Sequence, residues 1–218
     1  PIDMIEGVLT RDKKTATYKL ALLRAMAEIA SSSLHEGHWR QDGWVGVPVS
    51  LIAEKWIRYY WPIIESPEFI PQIRGEGLPG IKPIAFRKAL TELVDYYRAA
   101  GGWISFVLNY RNDEVPPAAR PLVKNLFAKM ENAIIKGPVT FTGGSLNTGR
   151  LFNYDARQRE VLIPILIWRE LSLMGHWICD ALFTRWAELT SDISRKAIKP
   201  SQVMDLLMTA SSMERETI

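Results

Sequence analysis

From Thr15 to Ala30 the apolar positions fall at Leu20, Leu22, Leu23, Met26, Ala27 and Ile29. The spacing is mostly i, i+3, i+4 on strong helix formers, and it predicts a first helix. Thr15 or Thr17 caps its start, and Ser31–Ser33 ends it. The polar stretch from His35 to Gly46 reads as a loop. Val49–Ile64 predicts a second helix, with Pro48 just before it and Ser50 as its cap. It is crowded with rings at Trp56, Tyr59, Tyr60 and Trp61. Three prolines and three glycines between Ser66 and Gly80 predict irregular chain. Ile84–Ala100 predicts a third helix, closed by Gly101 and Gly102. Trp103–Tyr110 alternates weakly and fits a short helix or a strand. Pro116 and Pro117 open a helix that runs to about Ile135 and stops at Gly137-Pro138.

Beyond Pro138 the pattern changes period. Val139–Thr142, Leu151–Tyr154 and Glu160–Ile163 are short β-branched or aromatic runs separated by turn residues, which predicts an antiparallel meander. After Pro164 comes the longest helix, Leu166–Ile193. It is apolar on nearly every side, so it is expected at the centre of the domain. A last helix, Pro200–Glu216, is capped by Ser201. The fold class is therefore mainly α: a single helical domain over residues 1–218 with one small β-meander inserted at about 139–163.

Composition narrows the chemistry more than the fold. The chain has 218 residues, 47% hydrophobic and 23% charged, which excludes a disordered or collagen-like polymer. One cysteine and three histidines exclude a disulfide framework, a cysteine-rich zinc module and a His-rich metal site. Twenty-seven Lys and Arg stand against 24 Asp and Glu, so a polyanionic partner is permitted but not demanded. The N-terminus lacks a basic region followed by an apolar run, and every long apolar stretch is broken by charge. No signal peptide or membrane span is expected, and a reduced cytoplasmic setting fits best.

Three constellations invite a functional reading. The glycine-rich stretch Thr142–Arg150 offers backbone N–H groups with Ser145, Thr148 and Arg150 as anion donors. It is not a Walker A loop, and a wide hairpin loop that uses glycine for positive φ is the other reading. Lys13, Lys14 and Lys19 gather with Tyr18 at the start of the first helix, where the helix dipole adds to their attraction for phosphate. Arg74, Lys82 and Arg87 bracket the Pro/Gly-rich loop, and the two arginines are the candidates for pairing with a base edge. A merely solvated surface explains such clusters equally. His176 and Asp180 lie four apart on one face of the long helix, with Glu170 off that face. A buried structural pair is the expected role, since two ligands do not make a metal site. His35 and His38, with Glu36 and Asp42, read as loop surface, and Cys179 as inert core. No catalytic residue and no resident cofactor is expected, and no nucleophile-elbow motif is present.

Three stretches together resemble a known family. They are Lys13–Ala30; Gly46–Ser50 with Trp56, Tyr59–Pro62, Phe69–Gln72 and Lys82–Arg87; and Gly137–Thr140 with Trp168–Leu171, His176 and Trp177. These are similar to the N-terminal helical region of bacterial HNH-endonuclease-domain proteins, in which a nuclease module follows. The resemblance spans nearly the whole chain and implies DNA as partner and a role in restriction or phage defence. It departs from the family in holding no HNH motif: no His lies in a strand–turn–helix context late in the chain. Cleavage and its divalent metal are then expected of a module beyond residue 218. The alternative is a structural or protein-interaction domain that forms dimers through its aromatic helices.

Overall fold

The computed structural model describes residues 2–12, 15–32, 36–144 and 150–215, the side chains of residues 214 and 215 apart. The described residues form eight α-helices and one small antiparallel sheet, so the protein is mainly α. In chain order these are α1 (Ile2–Thr10), α2 (Tyr18–Ser32), β1 (His38–Trp39), β2 (Trp44–Pro48), α3 (Val49–Glu65), α4 (Arg87–Arg98), α5 (Gly102–Arg111), α6 (Arg120–Ile134), β3 (Asn153–Asp155), β4 (Glu160–Pro164), α7 (Ile165–Ile193) and α8 (Pro200–Arg215).

The centre of the molecule is α2 rather than the longest helix. Leu20–Ala27 are consecutively buried, Arg24 included, so α2 is enclosed on every side. It packs lengthwise on α7, and Gly175 sets the closeness of that contact. A Cβ there would lie 2.8 Å from the Ala27 carbonyl oxygen and 2.8 Å from Ser31 Cβ. The expectation that α7 is central is thus corrected: one face lies on α2 while Leu166, Leu173 and Trp177 stand 60%, 69% and 68% exposed on another.

The aromatic residues of α3 are all core. Trp56, Tyr59, Tyr60 and Trp61 are fully buried, so these rings face the interior rather than a partner. Trp103–Tyr110 resolves as helix α5, and the chain reverses into it through Gly101 and Gly102, both at positive φ.

The sheet is built differently from the expected meander. Its order is β1-β2-β4-β3, all antiparallel, with Val47 opposite Val161 and Tyr154 opposite Val161 on the other side. Val139–Thr142 is not a strand. Helix α6 instead continues through a π-helical turn, Ile135–Val139, which accommodates Gly137-Pro138. The β-branched residues there serve packing: Val139 and Thr142 are buried, which overrides their strand preference. The missing strand comes from Trp44–Pro48, a distant segment whose alternation is hidden by Gly46 and Pro48. Gly46 lies directly against the Glu160 carboxylate, and an added Cβ would push that side chain out of its place.

Candidate nucleic-acid interface

Backbone pairing brings the start of α2 to the Pro/Gly-rich loop. Thr17 N–H donates to Gln72 O at 3.0 Å, Arg74 N–H donates to Thr15 O at 3.0 Å, and Ala16 and Ile73 form an antiparallel bridge. The π-turn arrives from the other side. Gly137 lies against the Tyr18 ring, where an added Cβ would come within 3.3 Å. Beyond it, Gly143 N–H donates to Asp12 Oδ2 at 3.0 Å, and Lys19 Nζ reaches the same oxygen at 2.9 Å.

The result is a cleft of about 540 Å³ between the start of α2 and the turn after the π-helix. Thr15, Lys19, Gly137, Phe141, Gly144 and Arg150 line it, together with an edge of Tyr18. Two regions that the sequence marks as separate candidates therefore share one opening. Arg150 is exposed there, and Phe141 stands 60% exposed. Lys13, Lys14, Ser145 and Thr148 lie outside the described residues.

Other candidates are placed differently. Tyr18 does not offer a free ring. It stacks on Trp56 with centroids 5.4 Å apart and meets Phe86 at 5.8 Å, while its hydroxyl accepts from Ala85 N–H at 3.0 Å. Burial pushes its phenol up to about 12, so it stays neutral. Lys19 is only 14% exposed and is held by Asp12. Arg87 is turned inward. Its Nε and Nη2 donate to Glu76 at 2.6 and 3.0 Å, and Nη2 also donates to Ile70 O at 2.7 Å. Its fork is thus already occupied, and it is not placed to read a base edge. Arg74 is exposed but lines a separate hollow with Asp192 and Arg195, and Lys82 is exposed on the loop.

His176 and Asp180 contradict the expectation of burial. Their side chains are 84% and 57% exposed, with Nε2 and Oδ2 3.8 Å apart. Gly175 faces α2, and His176 and Asp180 lie about 100° and 140° around the wheel from it, so both turn outward. His38 is more than loop surface: its Nδ1 donates to Glu160, which also accepts from Arg40, while Arg40 Nη1 donates to Asp155 at 2.8 Å. This network pins the β1–β2 hairpin to β3 and β4. Burial raises the Glu160 carboxyl, but the hydrogen bonds from Arg40 and His38 outweigh it and hold the group below the ordinary range. Cys179 is buried, and its thiol is pushed up to about 12 by burial and by Glu28.

Sequence reasoning missed a charge cluster inside the fold. Glu28 accepts from Arg24 Nε at 2.9 Å and from Arg58 Nη2, and Lys55 Nζ lies 3.9 Å away. Arg24 also lies over the Tyr59 ring at 3.8 Å and donates to Ser211 at 2.9 Å. The spacing of Arg24 and Glu28, four apart on a helix, was the only available signal, and it is equally common on solvated surfaces. A second cleft of about 260 Å³, between α3, α5 and α6, is floored by Trp103, Phe106 and Phe127. There Tyr110 donates to Glu54 at 3.0 Å. Among the described residues no three His, Cys, Asp or Glu side chains gather as a metal site, and no helix is long and apolar enough to cross a membrane.

The model of one family matches residues 1–207, and its description is a domain of unknown function, DUF8808. The chain belongs to that family. No curated protein and no solved structure matches it.

Proposed function

We propose that the chain is the DNA-recognition region of an HNH-type restriction or phage-defence endonuclease, with strand cleavage supplied by a C-terminal module that holds the divalent metal. The observation that carries this reading is the cleft in which Lys19, Arg150, the start of α2 and the glycine-rich turn meet. A phosphate seated there receives the exposed Arg150 side chain and the Thr15 hydroxyl, with Lys19, held by Asp12, beside it and the positive end of the α2 dipole toward the anion. Phe141, exposed in the lining, offers a ring on which a base stacks. The resemblance supports the same reading. Its first stretch contains most of α2, and its third contributes the π-turn on Tyr18 and part of α7.

The test is a titration of labelled duplex and single-stranded DNA at several salt concentrations. Affinity should fall steeply with salt, and Arg150→Ala should lower the magnitude of the log–log slope by roughly one. Phe141→Ala should weaken single-stranded DNA by about 1–3 kcal/mol. Absence of binding at low salt, or full binding by both folded variants, overturns the proposal.

A further inference from the structure

The face of α7 that points away from α2 carries Leu166, Leu173 and Trp177, which fall within about 40° of one another on the helical wheel. Trp39 of β1 extends this surface: Trp39, Leu166, Arg169 and Leu173 together line a shallow hollow of about 410 Å³. Trp39 is 59% exposed and Met174 39% exposed. Five large apolar side chains are thus held at the surface, four on α7 and Trp39 on β1. With ~150–250 Å² for each aromatic side chain, they expose on the order of 500 Å² of apolar surface. That is the apolar core of an interface that takes roughly 800 Å² from each partner.

We infer that this face is where a second copy of the chain docks, with the two α7 helices antiparallel across a two-fold axis near Gly175. The charges on the stripe select both the occupant and the orientation. Arg169 lies four residues before Leu173, and Asp180 lies three residues after Trp177, so one cation and one anion flank the apolar centre at nearly equal distances. Both side chains belong to exposed residues. Reversing one helix places Leu173 opposite the symmetry-related Trp177. It also places each Arg169 beside the other copy's Asp180, so two unlike pairs form at once. A parallel arrangement would set like charges together. Self-complementarity of this kind is what an isologous interface requires. Gly175, packed on the Ala27 carbonyl, keeps the opposite side of the helix rigid while the stripe faces outward. This surface is separate in residues from the cleft proposed for DNA, and the inference stands without that proposal.

The experiment is sedimentation equilibrium of the chain over a range of concentrations at low and high salt. A dimer is expected that persists at high salt, where DNA binding would fade. Trp177→Lys should weaken self-association at least tenfold while leaving the circular dichroism spectrum unchanged. Arg169→Glu should weaken it less, and the double variant Arg169→Glu with Asp180→Arg should restore it, because the two unlike pairs re-form with their signs exchanged. A chain that stays monomeric at every concentration overturns the inference, and so does a dimer that Trp177→Lys leaves intact. Failure of the double variant to restore association overturns the antiparallel arrangement.

Discussion

Replacing Glu28 by Gln should destabilise the protein more than removing any one of its cationic partners. Among the described residues one carboxylate, Glu28, meets three cations, and the asymmetry sets the outcome. Arg24 is fully buried, and the Arg58 side chain is 5% exposed. In Glu28→Gln both guanidinium groups keep their charge but lose the Glu28 carboxylate that each contacts. Breaking a buried pair from one side costs about 3–5 kcal/mol, since the desolvated charge is left without compensation. Some of that is retained here. Arg24 still donates to Ser211 and still lies over the Tyr59 and Phe183 rings, at 3.8 and 4.5 Å. Each such contact is worth about 0.5–2 kcal/mol. A net loss of ~3 kcal/mol is therefore expected, which corresponds to roughly 6–12 °C in melting temperature for a chain of this size. Arg24→Met is the control. It removes a buried charge, keeps much of the side-chain volume, and leaves Glu28 paired with Arg58 and Lys55, so it should cost less. Urea unfolding followed by circular dichroism measures both. If Glu28→Gln lies within about 1 kcal/mol of the parent, or if Arg24→Met is the more damaging change, the reasoning about the charge cluster fails.

Three further outcomes are expected. Gly175→Ala should destabilise by about 1–3 kcal/mol despite the better helix propensity of Ala, because the new methyl meets a backbone carbonyl on α2 that cannot rotate away; thermal unfolding would refute this by showing an unchanged or raised midpoint. Cys179, with its thiol pushed up to about 12, should react with a disulfide reagent at neutral pH only after unfolding, and rapid labelling of the native chain would contradict its burial. Glu160 titrates below its unfolded value, so its ion pairs stabilise the sheet fully above the ordinary carboxylate range and cease to do so as pH falls through the depressed value. Glu160→Gln should accordingly be less stable than the parent near neutral pH and converge with it in acid, and a gap that widens on acidification would show the sign to be wrong.

The sequence determined by itself whatever depends on short-range pattern. The helical periodicity of Leu20 to Ile29 marks α2, and Pro164 with the long apolar run marks α7, because both rest on residue spacing and local breakers alone. The mainly α class with a small antiparallel sheet followed from the same reading. What the sheet is made of did not. Val139–Thr142 has strand-forming residues, yet its place against the core keeps it helical, while Trp44–Pro48 becomes a strand through pairing with Glu160–Pro164 more than a hundred residues away. The candidate site divides along the same line. Local clustering along the chain pointed to Lys19, Tyr18, Arg87 and Arg150, but only the fold decided that Glu76 occupies Arg87, that Trp56 covers Tyr18, and that Arg150 reaches the opening beside Lys19. Burial of His176 was expected because its neighbours are apolar. The fold reversed this by turning Gly175, the smallest residue of α7, toward α2 and leaving Leu173 and Trp177 in solvent. Which face of an apolar helix is covered depends on where another helix comes closest, and that contact is not written in the spacing of either helix.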